Sequence, residues 1–369
     1  MSAPLVLLAA GGTGGHLFPA EALAIALRAR GCEVDLATDD RALRYGGSFP
    51  ARRIHTIPSG SPSGGSVLGK VLAAWEILRG TWTACFLLNK LKPDCVVGFG
   101  GYPTVPPVLA ASILKIPAVL HDQNAVLGRA NKFLAGRVSA IASGFPTLGG
   151  LAEAQKSRWH STGNPVRPAV LDAAQLPYPS TAEGEPFRLL ITGGSQGARV
   201  FSDVVPPAIA ALDPALRARL SIVQQARGED EVRVREAYQA MGVQAEVAPF
   251  FRDLPNRIAQ AHLVIGRAGA STVSELSVIG RPAILVPFPF AIDQDQAANA
   301  KHLAATGAAE IVYQKDFSPE WLAGRLTEAI GHPQSLTGRA EAAKSAGIPD
   351  AAERLADLVL EVMGRKGRP

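Results

Sequence analysis

The chain has 369 residues, 47% hydrophobic and 19% charged, which excludes a disordered or coiled-coil protein and, at about 150 residues per domain, predicts two domains. Its 37 glycines and 28 prolines follow no G-X-Y period, so collagen is excluded. The formal charge of +5 is uneven, with +7 on residues 1–164 and −2 on the remainder; the first half is expected to meet something anionic, a phosphate or an acidic membrane surface. No basic run precedes the tail Arg365, Lys366 and Arg368, so nucleic acid is not an expected partner.

Short apolar runs predict strands at 5–9, 33–38, 95–98, 118–121, 139–142, 189–192, 220–224, 245–249, 263–265, 283–287 and 309–312. The first run lacks a positive n-region and leads into glycines, so it reads as a buried strand and not as a signal peptide. Helical patterns at 20–30, 67–91, 200–212, 253–261, 271–279 and 296–305 alternate with the strands. This β-α alternation predicts right-handed crossovers and doubly wound parallel sheets. The stretch nearest to a membrane span, 103–120, holds Lys115 and four prolines, so none is expected to cross a bilayer. Cys32, Cys85 and Cys95 form no C-x-x-C pair and lie in apolar runs, which fits a reducing compartment and neither a disulfide scaffold nor structural zinc.

Five prolines and a polar patch make 165–187 the expected linker. Strands on either side of it run into glycine loops: Gly11-Gly12-Thr13-Gly14-Gly15-His16, Gly98-Phe99-Gly100-Gly101-Tyr102 and Gly193-Gly194-Ser195-Gln196-Gly197. Glycine lets the backbone approach a ligand, and a helix N-terminus offers N–H groups to a phosphate. Three such loops at strand C-terminal ends indicate one ligand site at that edge. None is a Walker A loop, and Leu17 stands where the dinucleotide fingerprint needs its third glycine.

A fourth loop, Arg267-Ala268-Gly269, opens the helix that begins Ala270-Ser271-Thr272-Val273-Ser274-Glu275. Either Ser271 or Thr272 caps it with Glu275 closing a capping box, or the helix end binds an anion and Glu275 accepts from a sugar diol. Asp293 and Asp295 resemble a carboxylate pair, but paired acids are common on solvated loops, so no metal site is predicted there; no cofactor is expected to be required, and a bound divalent ion stays open as an alternative. No G-x-S-x-G supports a serine hydrolase. His16, at the tip of the first loop, is either a packed ring or a general base, and His121-Asp122-Gln123-Asn124 is similarly placed.

The segments GGTGGHLFPA, GFGGYPT, HDQN, GNPVR, GGSQGA, RAGASTVSE and DQDQAANA occur in an order and spacing that resemble the MurG family. These peptidoglycan enzymes add N-acetylglucosamine to a lipid-linked muramyl-pentapeptide. The resemblance runs from about Leu5 to Ala300. It implies a GT-B fold: two Rossmann-like doubly wound domains facing each other across a cleft, 1–164 for the lipid acceptor and 165–349 for the UDP-sugar, with 350–369 rejoining the first. It implies inverting transfer of GlcNAc from UDP-GlcNAc to the C4 hydroxyl of undecaprenyl-pyrophosphoryl-MurNAc-pentapeptide.

By motif, Thr13, Gly14 and Gly15 would lie at the acceptor–donor junction and Asn124 would touch the donor sugar. Arg167 and Ser195 would hold the diphosphate, Phe251 the uracil, Ala270 through Glu275 the diphosphate and ribose, and Gln296 the sugar hydroxyls. The sequence departs from the family at Asp122, where many members have Glu, and at Asp295, where a first glutamine is usual. His16 is the candidate base, and His121 or a water remains an alternative.

A lipid acceptor implies peripheral residence on the cytoplasmic face of the bacterial inner membrane, and cell-wall synthesis and division proteins as further partners. The stripe Leu68, Val71, Leu72, Trp75, Leu78, Trp82 and Phe86, with Lys70, Arg79 and Lys90 nearby, is either core or a docking face for anionic lipid. The competing readings are another GT-B enzyme, namely a diacylglycerol glycosyltransferase or a UDP-GlcNAc 2-epimerase, and a non-catalytic UDP-sugar-binding module.

Overall fold

The computed structural model describes residues 3–11, 14–39, 49–60, 67–182, 184–194, 197–291 and 294–364, the side chains of Val67, Leu68 and Lys70 excepted. The chain divides into two compact units, Met1–Arg167 with Pro349–Pro369, and Pro168–Ile348.

The first unit holds β1 (Leu5–Ala9), β2 (Glu33–Thr38), β3 (Ile54–Thr56), β4 (Cys95–Gly98), β5 (Ala118–Asp122), β6 (Ala140–Ser143) and β7 (Trp159–Ser161) in one sheet of order β3-β2-β1-β4-β5-β6-β7. All its pairings are parallel. Side-chain alternation explains the apolar runs. Val6 and Leu8 join the core under the helices Gly14–Ala29 and Ala351–Gly364, whereas Leu7 and Ala9 join the opposite core with Ala84, Leu88 and Val105. A strand covered on both faces has no polar side to show.

The second unit repeats the plan with β8 (Phe187–Thr192), β9 (Leu220–Gln225), β10 (Gln244–Ala248), β11 (Leu263–Gly266), β12 (Ala283–Leu285) and β13 (Ala309–Ile311). Its order is β10-β9-β8-β11-β12-β13, all parallel. In each sheet the order reverses between two adjacent strands, β1 and β4 or β8 and β11, and the loops leaving them diverge there. That is where open α/β sheets bind ligands.

Two short edge strands escape the sequence pattern because polar contacts hold them. Buried Asp35 on β2 accepts from Arg52 Nε at 3.0 Å and is bonded to His55 Nε2 at 2.8 Å, which fixes β3. Trp159 Nε1 donates to Ser143 Oγ at 2.9 Å, which ties β7 to β6. The first helix begins at Gly14, six residues earlier than its apolar pattern indicates, so His16 lies in a helical first turn and not on a loop tip.

The expected linker 165–187 is also revised. The division falls after Arg167, Pro168–Ala173 is helical, and the following segment is clasped by buried donors. Arg281, 2% exposed, donates to the carbonyls of Pro177 (2.9 Å), Ala259 (3.0 Å from Nε), Ile279 (2.9 Å) and Gly280 (3.0 Å). His262 Nε2 donates to Ser180 O at 2.8 Å while Nδ1 accepts from Arg188 N, and Tyr178 Oη donates to His262 O. The segment that looks like a flexible tether is thus anchored at Pro177, Tyr178 and Ser180, and the Pro177 carbonyl helps to satisfy a buried guanidinium whose hydrogen bonds among the described residues all go to backbone carbonyls.

The helix Val67–Leu91 has the predicted bounds. By length and composition Val71–Leu91 is apolar enough to cross a membrane, which the sequence reading did not expect. One side of it nevertheless buries Ala73, Ala84 and Leu88 in the first unit.

Replacing Arg281 with Met would strand these carbonyls in the interior and is expected to destabilise the protein by about 2–4 kcal/mol. The urea midpoint followed by circular dichroism tests this, and an unchanged midpoint would refute the clasp.

Candidate active site

In the first unit, polar groups gather at the C-terminal ends of β1, β4 and β5. Gly100 and Gly101 after β4 have φ of 86° and 73°, left-handed values that favour glycine. A Cβ on Gly101 would stand 3.3 Å from His16 Nε2, and one on Gly100 would stand 3.5 Å from His16 Cε1. The imidazole of His16 therefore lies directly on this turn, half-buried, with Nδ1 2.9 Å from Gln123 Oε1.

Beyond Gln123, His121 is fully buried with both ring nitrogens bonded, Nε2 to Gly163 O at 3.0 Å and Nδ1 to Gln123 Nε2 at 3.1 Å. Burial, with the nearby His16, pushes its titration down to about 4 against the opposing Gly163 bond. The ring stays neutral and enclosed, which removes His121 from direct proton exchange with a ligand.

Asp122 shapes the loop that follows. It accepts from Asn124 N (3.1 Å), Gly128 N (2.8 Å) and Asn131 Nδ2 (2.9 Å), and burial raises its titration. Asn124 is thereby held at the exit of β5. Arg167 stacks on the Phe18 ring at 4.0 Å, so it belongs to the first unit. Gly14 and Gly15 lie in the first helical turn beside His16, while Thr13 lies outside the described residues.

In the second unit, two adjacent loops leave β8 and β11 and each enters a helix. The helices Arg199–Ala210 and Ala270–Ile279 have Ala198 and Gly269 at their N-caps, and neither has a side-chain cap bond. The capping box weighed for Ser271, Thr272 and Glu275 is therefore not formed. The chain takes Gly269 as the cap, which leaves the first-turn backbone donors of Ala270, Ser271 and Thr272 without a side-chain cap. Val273 N bonds Gly269 O at 3.0 Å, Ser274 occupies the same turn, and Glu275 is buried one turn in. Two uncapped helix starts on neighbouring strands suit a diphosphate.

Gln225, at the end of β9, holds these loops in place. Its Oε1 accepts from Gly193 N (3.0 Å) and Thr192 Oγ1 (3.1 Å), and its Nε2 donates to Gly194 O (2.9 Å) and Pro249 O (3.1 Å). One amide thus joins the glycine turn after β8 to the segment leading to Phe251. Gly193 is needed because a Cβ there would come within 2.3 Å of Ala198 N. Phe251 is buried under Arg257, whose guanidinium sits 4.2 Å from the ring centre.

Arg267 donates to Val286 O, Pro287 O and Gln314 Oε1, and Asn299 Nδ2 donates to Ala268 O, so the β11 loop is braced from below. Burial, with a smaller contribution from the nearby Arg227, pushes the Arg267 titration down to about 10. Gln296 spends its Oε1 on Phe288 N at 3.0 Å. Asp295 accepts from Gln296 N at 2.7 Å. Ser195 and Asp293 lie outside the described residues. Among the described residues no group of three or more His, Cys, Asp or Glu could hold a metal ion.

Sequence reading did not single out Gln225 or Arg227. The signal for Gln225 was a pair of glutamines closing the strand LSIVQQ, a polar group placed where a buried strand meets the ligand edge.

The glycosyltransferase family 28 N-terminal domain matches residues 6–143 and the family's C-terminal domain matches residues 188–355. A Methylobacterium nodulans protein named UDP-N-acetylglucosamine--N-acetylmuramyl-(pentapeptide) pyrophosphoryl-undecaprenol N-acetylglucosamine transferase is 59% identical over 97% of this chain and 96% of its own. A Mesorhizobium japonicum protein of the same name is 55% identical over 99% and 97%. The crystal structure of Acinetobacter baumannii MurG superposes with a TM-score of 0.78 at 32% identity, covering 97% of this chain and 99% of that one.

Replacing Gln225 with Leu removes four bonds from the loops of the second unit. UDP affinity by calorimetry is expected to fall about tenfold or more, and undiminished affinity would refute the assignment.

Proposed function

The chain belongs to glycosyltransferase family 28 and, within it, to the N-acetylglucosamine transferases that act on pyrophosphoryl-undecaprenol-linked muramyl-pentapeptide, and on that premise we propose how its residues carry the reaction. The enzyme has a GT-B fold and transfers GlcNAc from UDP-GlcNAc to undecaprenyl-pyrophosphoryl-MurNAc-pentapeptide in peptidoglycan synthesis. The observation that carries this reading is 59% identity over 97% of the chain.

Inverting transfer needs a base for the acceptor and charge stabilisation for the departing diphosphate. In our reading His16 takes the proton of the C4 hydroxyl, O4 attacks C1 of GlcNAc, and the C1–O bond to the diphosphate breaks to release UDP. The half-buried ring on the Gly100–Gly101 turn supports His16 in that role. Leaving charge is taken by the helix starts at Ala198 and Gly269 and by Arg167, with Ser195 as a further donor by family resemblance. Glu275 accepts from the ribose, the Phe251 segment meets the uracil, and Asn124 and Gln296 meet the donor sugar. Backbone dipoles and guanidinium groups supply the positive charge, so we propose that no divalent metal is required.

UDP release from UDP-GlcNAc is expected only when a lipid-linked muramyl-pentapeptide analogue is present, and it should persist in excess EDTA. Release or isomerisation without acceptor would instead indicate an epimerase, tight binding without turnover a binding module, and complete loss in EDTA would overturn metal independence.

We further propose that the helix Val67–Leu91 docks the enzyme peripherally on the anionic cytoplasmic face of the inner membrane, beside other cell-wall synthesis and division proteins. Val71, Trp75, Leu78, Trp82 and Phe86 recur at helical spacing, with Trp75 64%, Trp82 69% and Phe86 64% exposed. Arg79 and Lys90 are exposed on the same helix. A soluble surface rarely leaves two tryptophans so open without a partner.

Binding to vesicles containing anionic lipid is expected at low salt. The double substitution Trp75→Glu and Trp82→Glu should reduce it about tenfold or more while turnover of a short-chain soluble acceptor is kept. Equal binding by both proteins would refute the docking face.

A further inference from the structure

His16, Gln123 and His121 form a hydrogen-bonded chain whose proton positions are dictated from its ends. The carbonyl oxygen of His121 lies 3.3 Å from Gln123 Nε2. A carbonyl only accepts, so Gln123 must turn its NH2 group that way. The same NH2 faces His121 Nδ1 at 3.1 Å, and that nitrogen must then present a lone pair. His121 keeps its single proton on Nε2, where Gly163 O accepts it at 3.0 Å.

The orientation of the amide carries through to the other histidine. Gln123 Oε1, now fixed as the acceptor, lies 2.9 Å from His16 Nδ1. His16 must carry a proton on Nδ1, and its Nε2, on the side of the Gly100–Gly101 turn, keeps the lone pair. Two backbone carbonyls therefore determine an imidazole tautomer two side chains away.

We propose that Gln123 and His121 are positioning residues that lock His16 in its Nδ1–H tautomer, so that Nε2 is the atom that receives the acceptor proton. The proposal rests on His16 being the base in the transfer reaction. An amide in this position orients the ring without placing a negative charge beside it, and so it selects which nitrogen is basic without adding an ion pair.

The surroundings agree. Protonation of His121 on Nδ1 would drive a proton into the Gln123 NH2, and the buried ring resists it, with a titration pushed down to about 4. His16 interacts electrostatically with both His121 and Asp122. Asp122 turns its carboxylate to Asn124 N, Gly128 N and Asn131 Nδ2 and not to either ring. Asn131 Nδ2 also donates to His121 O at 3.3 Å, a second donor on the carbonyl that fixes the direction of the chain.

The test is nitrogen-15 NMR of the full-length protein labelled at histidine, with the His16 signals assigned from His16→Ala, together with steady-state kinetics. In the wild-type protein His16 is expected to show a protonated Nδ1 and a lone-pair Nε2, and His121 the reverse. Gln123→Met, similar in length but without polar atoms, should mix the His16 tautomers. It should lower kcat about tenfold or more while KM for UDP-GlcNAc stays within about twofold. Gln123→Glu retains an acceptor for Nδ1 and should keep His16 in the wild-type tautomer.

A wild-type His16 protonated on Nε2 would overturn the proposal even if Gln123→Met failed to fold. Unchanged kcat and unchanged His16 signals in Gln123→Met would overturn it as well. Wild-type turnover by His16→Ala would overturn the base reading itself, an outcome separate from the tautomer the spectrum reports.

Discussion

Covering a parallel sheet on both faces leaves polar chemistry almost nowhere to go except the C-terminal ends of its strands. Both units of this protein obey that constraint. β1, β4 and β11 carry only apolar residues and glycine, β8 departs from this only at Arg188 and at its last residue Thr192, and each runs into a turn that contains glycine; the divergence of the loops at each reversal of strand order opens room for a ligand. The positive φ values at Gly100, Gly101, Gly194 and Gly197 follow from the same requirement, because the chain must turn sharply while its N–H groups stay available.

Loops of this kind carry little apolar surface and so need another means of being held. In each unit a buried glutamine serves. Gln123 bridges the first helical turn to β5, and Gln225 bridges the turn after β8 to the segment after β10. A primary amide suits this task because it both donates and accepts, carries no charge that must be neutralised, and is fixed in orientation once one neighbour is a carbonyl. Positive potential at these loops has other sources: helix starts without side-chain caps, and Arg267, whose partners are the carbonyls of Val286 and Pro287 and the amide of Gln314.

Much of this was legible in the sequence. The apolar strands were, because burial on both faces gives continuous runs, and the glycine turns were, because nothing else fits there. β3 and β7 were not, since they are short and are held by hydrogen bonds that Asp35 and Ser143 accept, and not by continuous apolar runs. The segment after Arg167 read as a tether because proline and polar residues look alike whether solvated or clasped; the buried His262 and Arg281, distant in sequence, reveal the difference. His16 and Glu275 stood out as residue types at telling positions. Gln225 did not, because a glutamine signals nothing until its four partners are brought together.

The helix Ala351–Gly364 has a consequence for how the protein is made. Leu355, Ala356, Val359 and Val362 complete the core that Val6, Leu8, Leu23 and Leu27 begin, and Arg30 reaches Asp357 at 2.9 Å. The unit translated first is therefore the last to be finished. While the ribosome works through residues 168–348, the early sheet waits with one apolar face covered only in part, by the helix Gly14–Ala29, and the later unit, continuous in sequence, can close before it. During synthesis the nascent chain thus carries an exposed surface that chaperones can recognise, and any truncation ahead of residue 351 would make that exposure permanent.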